Sequence, residues 1–225
     1  MNKNAEKFTL AGNAGLMEGL IDYPKDAPRG IALVAHPHPL YGGTMENKVA
    51  VTLARTFAGL GYVVARINFR GVGASEGVHD HGHGETDDMA ILHAWMTEKY
   101  PGLPVALSGF SFGTFVQSQL AQRLAAAGTP AERLVLVGSA AKKWEMAAIP
   151  ADTILIHGEN DDTIPLIDVL DWLRPQDIPV IVIPGADHFF HRKLQHIKGW
   201  VTQLWHRPSD VAGTETDAAG SDQPL

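Results

Sequence analysis

Short apolar runs alternate with longer amphipathic stretches along most of this chain, and no other property limits its possible folds as strongly. The short runs are rich in Ile, Val, Leu and Ala and are bounded by Gly and Pro, which is typical of strands buried on both faces. We predict strands over Ile31 to Ala35, Tyr62 to Ile67, Val105 to Phe110, Leu134 to Val137, Thr153 to Ile156 and Val180 to Ile183. We predict helices over Asn47 to Ala58, Glu85 to Lys99, Phe112 to Ala126, Ile164 to Leu173 and Lys193 to Trp205. This alternation implies right-handed crossovers and a mostly parallel α/β sheet with helices on both faces.

The two ends of the chain complete the predicted domain organisation. Phe8 to Leu10 and Leu16 to Asp22 can add antiparallel edge strands before the parallel series. The chain of 225 residues has the length of one domain with a large core, which we place at residues 1–206. Small and polar residues dominate from Arg207 onward, so burial cannot offset the entropy of ordering there. We predict a disordered tail over residues 207–225.

The charge and composition of the chain argue against several classes of function. A net charge of −7 argues against a nucleic-acid partner, which needs clustered Lys and Arg side chains. The lack of cysteine removes thiol nucleophiles, thiolate metal sites and disulfides. The segment Met1 to Leu20 lacks the apolar stretch of a secretory signal, and no segment is long enough to cross a bilayer. We therefore expect a cytoplasmic protein with no nucleic-acid or membrane partner.

The strongest chemical signal is the G-x-S-x-G sequence from Gly109 to Gly113. It follows the predicted strand Val105 to Phe110 and opens the predicted helix Phe112 to Ala126. In a nucleophile elbow, a tight strand-to-helix turn exposes the serine hydroxyl, and glycines on both sides avoid collisions with the flanking elements. Ser111 is the candidate nucleophile, and a glycine-rich turn without chemistry is the alternative interpretation.

A serine nucleophile requires an imidazole base, and that base requires a carboxylate to fix its tautomer. On a sheet of this kind the acid and then the histidine follow the serine, each in a loop after a later strand. Asp161 and Asp162 both follow the strand Thr153 to Ile156. Asp161 is favoured because Asp162 and Thr163 suit the cap of the next helix. The alternative is that both aspartates cap that helix and neither has a catalytic role. His188 follows the last predicted strand and is the candidate base.

In this order, these residues resemble the α/β-hydrolase superfamily over about residues 8–206. The pattern H-G-x-x-D-x-x-I-P spans His157 to Pro165, and G-x-D-H spans Gly185 to His188. Ala35 to Met45 and Asn68 to Gly77 look like the small, lidless bacterial hydrolases grouped with dienelactone hydrolase. The resemblance implies an α/β-hydrolase fold without a cap domain and a serine hydrolase reaction. Dienelactone hydrolase itself uses a cysteine nucleophile, which this chain lacks, so lactone opening does not carry over.

The negative oxygen of a tetrahedral intermediate needs preorganised donors, which form an oxyanion hole. One donor is expected to be the amide of Phe112, directly after the nucleophile, and the other to come from the loop after the first parallel strand. Proline has no N–H, so His38, Leu40 and Tyr41 remain as donors in that loop. Alignment with the related H-G-x-P motif of the superfamily favours the backbone amide of His38.

The excursion between Gly138 and Asp152 is too short for a helical cap, which predicts an open site for small substrates. Ordinary core packing is the alternative for any single side chain proposed to line that site. The candidates for substrate binding are Leu40, Tyr41, Phe112, Trp144 and Met146.

We assign no chemical role to two further motifs. The segment His79 to Glu85 alternates histidine with other residues, but a glycine-rich loop lacks the rigid element that a tetrahedral metal site needs. We expect a solvated loop there and no bound metal. Gly71 to Gly73 is not a dinucleotide loop, because Ser75 and Glu76 stand where that fingerprint requires the opening of a helix.

The sequence thus predicts hydrolysis of small carboxylic esters by Ser111, His188 and Asp161 through an acyl-enzyme, without a cofactor. The alternatives are a thioesterase or peptidase with the same three residues, or a non-catalytic binding protein. We expect a monomer or a homodimer, in which an exposed Trp172 or Trp200 would be a contact.

Overall fold

The structure is a computed structural model that describes residues 5–205. The predicted tail over residues 207–225 and the end of the predicted domain at His206 lie outside the described residues. The strands are β1 Ala5–Gly12, β2 Gly15–Asp22, β3 Gly30–Ala35, β4 Tyr62–Ile67, β5 Val105–Phe110, β6 Arg133–Val137, β7 Ile154–Gly158 and β8 Ile181–Ile183. The helices are α1 Lys48–Gly59, α2 His83–Lys99, α3 Phe112–Ala126, α4 Leu166–Leu173 and α5 Leu194–Trp205.

All of these strands form one eight-stranded sheet in the order β1-β2-β4-β3-β5-β6-β7-β8. β1 pairs antiparallel with β2, and β2 pairs antiparallel with β4. The remaining neighbours are parallel. Every residue of β3, β4 and β5 is buried, which explains the nearly unbroken apolar runs in the centre of the sheet. The predicted mostly parallel sheet with antiparallel edge strands is confirmed.

Helices cover both faces of the sheet and form two hydrophobic cores. Apolar side chains of α2, α3 and α4 fill the core on one face, and those of α1 and α5 fill the core on the other. On the second face, the indole of Trp205 meets the rings of Phe57 and Tyr62 edge to face, at centroid distances of 4.9 and 5.5 Å. This contact attaches the last helix to α1 and β4.

Two predicted helix starts are wrong by two residues, and the error at α2 has a hydrogen-bonding cause. α2 begins at His83 rather than Glu85, because the Glu85 carboxylate reaches back and accepts a hydrogen bond from the N–H of Gly82 at 2.8 Å. α4 begins at Leu166 rather than Ile164, with Pro165 as its N-cap. The expected capping of α4 by Asp162 or Thr163 is therefore incorrect.

The loops that follow the carboxyl ends of the parallel strands gather at one edge of the sheet. The segment between Gly138 and Asp152 contains only turns and one isolated bridge, between Ala141 and Trp144. It holds no helix, so the expected absence of a cap domain is confirmed and the edge of the sheet stays open above β5.

Candidate active site

Ser111 lies on the tight turn between β5 and α3. Its backbone has φ 54° and ψ −122°, a strained conformation for a residue with a side chain. A Cβ atom on Gly109 would lie 2.3 Å from the carbonyl oxygen of Gly113, and one on Gly113 would lie 2.4 Å from that of Ala35. Both glycines are therefore required by backbone contacts, as the G-x-S-x-G pattern predicts.

His188 follows β8 and its imidazole reaches the serine. The Ser111 hydroxyl lies 2.9 Å from Nε2 of His188, where it can donate a hydrogen bond. The ring of His188 stacks at a tilt on Phe110, with 5.0 Å between centroids, and is only 3% exposed. Gly138 has a positive φ of 59°, and a Cβ there would come within 3.4 Å of His188 Cε1. The end of β6 thus leaves room for the imidazole.

Asp161 completes a hydrogen-bonded line with His188 and Ser111. Nδ1 of His188 donates to Asp161 Oδ2 at 2.7 Å, and Oδ1 accepts from the N–H groups of Thr163 and Ile164 at 3.0 and 2.7 Å. Because an ionised carboxylate only accepts, the proton belongs on Nδ1, and the Nε2 lone pair faces Ser111. Asp162 is exposed and makes no contact with His188 in the described chain.

A second buried imidazole lies behind the Asp161 carboxylate. Nε2 of His157 donates to the carbonyl oxygen of Ile164 at 2.9 Å and is 3.4 Å from Asp161 Oδ2. Burial lowers the pKa of His157, so the ring is neutral at pH 7. Within residues 5–205 its Nδ1 has no hydrogen-bond partner. Sequence reasoning treated His157 only as a strand end, although the H-G-x-x-D pattern places it four residues before Asp161.

The candidate oxyanion donors lie beside the serine. The N–H of Phe112 is the first of α3 and has no acceptor within the helix. In the loop after β3, Leu40 N–H donates to Nδ1 of His38, and Tyr41 N–H donates to the carbonyl oxygen of His38. The amide of His38 takes part in no hydrogen bond of this described turn. The structure therefore favours His38 over Leu40 and Tyr41, and its role stays a prediction.

His36 holds the loop that carries this amide. Its Nδ1 donates to the carbonyl oxygen of Pro37 at 2.6 Å, and its Nε2 accepts from the N–H of Phe69 at 2.9 Å. Burial lowers the pKa of His36 to about 4, which keeps the ring neutral and able both to donate and to accept. Sequence reasoning assigned His36 no role, because nothing local indicates its partner after β4.

The expectation of a solvated loop over His79 to Glu85 holds only in part, because Asp80, His81 and His83 are exposed but the other residues are packed. Glu85 is fully buried, and its carboxylate accepts from His79 Nδ1 at 2.7 Å and from the N–H groups of Asp80 and Gly82. The ring of His79 in turn packs against His38 at 4.7 Å and Phe112 at 5.5 Å between centroids. The segment is therefore packed against the side chains of both candidate oxyanion donors.

A pocket of about 640 Å³ opens over Ser111 and His188. Tyr41, Phe112 and Trp144, which the sequence proposed as walls, all line it. Leu40 is 70% exposed and Met146 lines a neighbouring depression, so the structure places both outside this pocket. Phe189, Lys143 and Ile164 line the pocket without having been predicted.

Two further features of the described chain bear on other functions. In residues 5–205, no group of three or more His, Asp or Glu side chains is arranged to hold a metal ion. No helix in the same part of the chain is both long and apolar enough to cross a bilayer.

Comparisons with known proteins agree with the fold and with the serine hydrolase class. The family model for X-Pro dipeptidyl-peptidase (S15 family) matches residues 21–149, more than half of the chain. The structure of XC6422 from Xanthomonas campestris, an α/β serine hydrolase without a lid, superposes with a TM-score of 0.84 and 33% identity. That similarity covers 91% of this chain and 94% of XC6422.

Two sequence relatives extend the comparison. The uncharacterised protein RP471 of Rickettsia prowazekii is 34% identical over 201 residues, which is 82% of each chain. The lysophosphatidylserine lipase ABHD12 of Danio rerio is 35% identical over 106 residues, which is 45% of this chain and 28% of that protein.

The fold, the elbow and these matches define a serine hydrolase of the α/β-hydrolase superfamily, without a lid. The chain belongs, more narrowly, to the X-Pro dipeptidyl-peptidase (S15) family within that superfamily. The predicted fold class and the predicted resemblance to small lidless hydrolases are both confirmed.

Proposed function

We propose that this serine hydrolase cleaves small carboxylic esters, with Ser111 as nucleophile, His188 as general base and Asp161 as the carboxylate that orients it. The observation that carries the proposal is the continuous hydrogen bonding from Ser111 Oγ through His188 to Asp161, at 2.9 and 2.7 Å. These are the distances that proton transfer between a nucleophile and its base requires.

The reaction proceeds in two acyl transfers. Ser111 Oγ attacks the ester carbonyl while its proton moves to Nε2 of His188, and the carbonyl oxygen becomes an oxyanion beside the amides of Phe112 and His38. The tetrahedral intermediate collapses, and His188 gives the proton to the departing alkoxide, which leaves as an alcohol. Water then attacks the acyl-enzyme by the same route, which releases the acid and restores the serine.

Two observations and one chemical argument favour esters. The pocket is open and bordered by Tyr41, Trp144 and Phe189, which suits a small apolar acyl group or alcohol. An alkoxide departs more readily than an amine nitrogen, so an ester demands less of His188 as the acid than a peptide does. The partial relative ABHD12 is a lysophosphatidylserine lipase, and its substrate class is itself a carboxylic ester.

A dipeptidyl-peptidase is the second candidate because of the matched family. A substrate of that kind carries a free ammonium group, which an enzyme pairs with a carboxylate. The residues that line this pocket include no Asp or Glu and one Lys, Lys143. An ammonium ion in the pocket would be repelled and unpaired, so we rank peptide cleavage below ester cleavage. Thioester cleavage and ligand binding without catalysis are the remaining alternatives, and the assay below also distinguishes them.

The proposal is tested by turnover of p-nitrophenyl butyrate, butyryl-CoA and an aminoacyl-proline p-nitroanilide. We expect the ester to be cleaved with the highest kcat/KM, and Ser111→Ala to lower kcat by at least about 10⁴-fold. The matched control is Ser108→Ala, since that buried hydroxyl has no hydrogen-bond partner in the described chain. A fluorophosphonate probe should label the peptide that contains Ser111. Full ester turnover by Ser111→Ala would exclude the proposed nucleophile.

The binding partner, the cellular location and the oligomeric state of the protein stay proposals. A small ester is the partner we propose, and a cytoplasmic location and a monomer or homodimer remain predictions from sequence. Trp200 is 37% exposed on α5 and is available for such a contact, whereas Trp172 is partly buried against the core.

A further inference from the structure

We propose that the pocket prefers esters whose acyl group ends in an anionic group, such as a carboxylate, and that Lys143 is the residue that pairs with it. This inference rests on the proposed function, because it names a substrate class for the same site. It starts from the charges that face the pocket.

The lining of the pocket carries an uncompensated positive charge. No Asp or Glu side chain lines it, and the Asp161 carboxylate is only 5% exposed behind His188. Lys143 is the one Lys or Arg side chain in the lining. The whole chain has a net charge of −7, so a pocket of this sign differs from the average surface. An anionic ligand would gain from this charge, and a cationic ligand would lose.

The neighbouring residue Lys142, in the same loop, has an ammonium group that is paired with two carboxylates. Nζ of Lys142 lies 2.9 Å from Asp168 Oδ1 and 2.7 Å from Asp171 Oδ2, both on α4. These two carboxylates raise the pKa of Lys142. Lys143 has no ion pair or side-chain hydrogen bond in the part of the chain that the structure describes. Two adjacent lysines therefore differ: one is paired on the surface, and the other is left for a ligand.

The aromatic contacts of its neighbour Trp144 support a position for Lys143 on the acyl side of the serine. Trp144, the next residue, packs on the rings of Phe112 and His38, whose amides are the candidate oxyanion donors. Phe189 instead packs on His188, which must protonate the leaving group. The alcohol therefore departs along the Phe189 wall, and the acyl chain extends along the Trp144 wall toward Lys143.

The next depression along the same groove does not cancel this charge. It shares Gly42, Asn47 and Phe189 with the pocket, and it contains Lys48 and Arg192 against the single carboxylate of Glu46. Positive charge exceeds negative charge over the lining of both depressions, so the local attraction near Ser111 would favour an anionic ester.

The test compares two activated esters that share one acyl chain and differ in the charge at its end. Mono-p-nitrophenyl adipate ends in a carboxylate, and its ω-methyl ester has the same acyl length without the charge. The readout is the ratio of kcat/KM for the anionic ester to kcat/KM for the neutral ester, at low and high salt. We expect Lys143→Gln to lower this ratio about fivefold and Lys143→Glu to lower it about twentyfold, with smaller effects at high salt. Lys143→Arg should keep the wild-type ratio.

The matched control is Lys142→Gln, which removes the same charge one residue away and outside the pocket lining. It should leave the ratio at the wild-type value. An unchanged ratio in Lys143→Gln, or an equal fall in both glutamine variants, would overturn the inference. A third ester with its carboxylate on the alcohol checks the side of the pocket, and a loss confined to that ester would overturn the acyl assignment. Failure of the wild-type enzyme to cleave any neutral ester would instead count against the proposed function.

Discussion

Replacing Asp161 by Asn changes one atom at the far end of the hydrogen-bonded line and should stop the proposed chemistry. The Asn carbonyl oxygen can still accept from the N–H groups of Thr163 and Ile164, where Asp161 Oδ1 now accepts at 3.0 and 2.7 Å. The amide nitrogen then faces Nδ1 of His188, 2.7 Å away in the wild type. Because that nitrogen is a donor, His188 must accept at Nδ1 and carry its proton on Nε2.

The size of the effect follows from this change of tautomer. With the proton on Nε2, the imidazole presents no lone pair to Ser111 Oγ, so it can no longer act as the base. A wrong tautomer in such a triad lowers kcat by about 10⁴-fold, and that loss corresponds to about 5.5 kcal/mol. The loop keeps its two backbone hydrogen bonds, so we expect the free energy of unfolding to change by no more than about 1.5 kcal/mol.

The assay is p-nitrophenyl butyrate turnover, with urea unfolding as the check on folding. Asp162→Asn is the matched control, since it makes the same change in the exposed neighbour that the sequence left as an alternative. We expect that variant to stay within about twofold of the wild type, as surface substitutions usually do. A fall in kcat of less than tenfold for a folded Asp161→Asn enzyme, or a larger fall for Asp162→Asn, would refute the reasoning.

Two further predictions concern stability. Gly113→Ala should destabilise the fold by about 3 kcal/mol, because its Cβ would meet the Ala35 carbonyl oxygen at 2.4 Å. Gly199→Ala, whose Cβ meets nothing within 4 Å on α5, should be neutral or stabilising. Equal urea midpoints for the two variants would contradict the steric argument. The pKa of His36 is about 4 in the folded protein and 6.5 in the unfolded chain. Between these two pH values the unfolded chain therefore carries a proton on His36 that the folded protein does not. His36 should therefore favour folding fully above pH 6.5 and lose about 3 kcal/mol of that contribution by pH 4. Urea unfolding at both pH values should show a shallower pH dependence in His36→Gln, and an identical slope would count against this assignment.

The parts of the candidate site that follow from the sequence are set by local geometry and chain order. A Cβ on Gly109 would meet the Gly113 carbonyl oxygen and one on Gly113 would meet that of Ala35 on β3, and the G-x-S-x-G pattern records both close approaches around Ser111. Asp161 and His188 come from chain order and strand position, which parallel topology converts into proximity. The strands are predictable because β3, β4 and β5 are buried on both faces and are therefore almost entirely apolar in sequence.

The parts that the sequence misses depend on contacts between distant loops. Glu85 looks like a charged residue at the start of an exposed helix, yet it is fully buried because three donors converge on its carboxylate. Leu40 and Tyr41 are adjacent, similar in character and both exposed, but only Tyr41 lines the pocket, since the turn Pro39–Tyr41 sets the direction of each side chain. Hydrophobic pattern carries no information on that choice.

The buried histidines explain how an open site without a cap can still be preorganised. An imidazole that stays neutral can donate from one nitrogen and accept at the other, so it can tie together two backbone groups that no strand pairing connects. His36 does this between Pro37 and Phe69, and so fixes the loop after β3 to the segment after β4. His157 donates to Ile164, next to the amides that hold Asp161. A lid can order a site when substrate closes it, whereas these internal ties order the loops before substrate arrives. The cost falls on stability at low pH, because each buried ring must remain uncharged for its hydrogen bonds to persist.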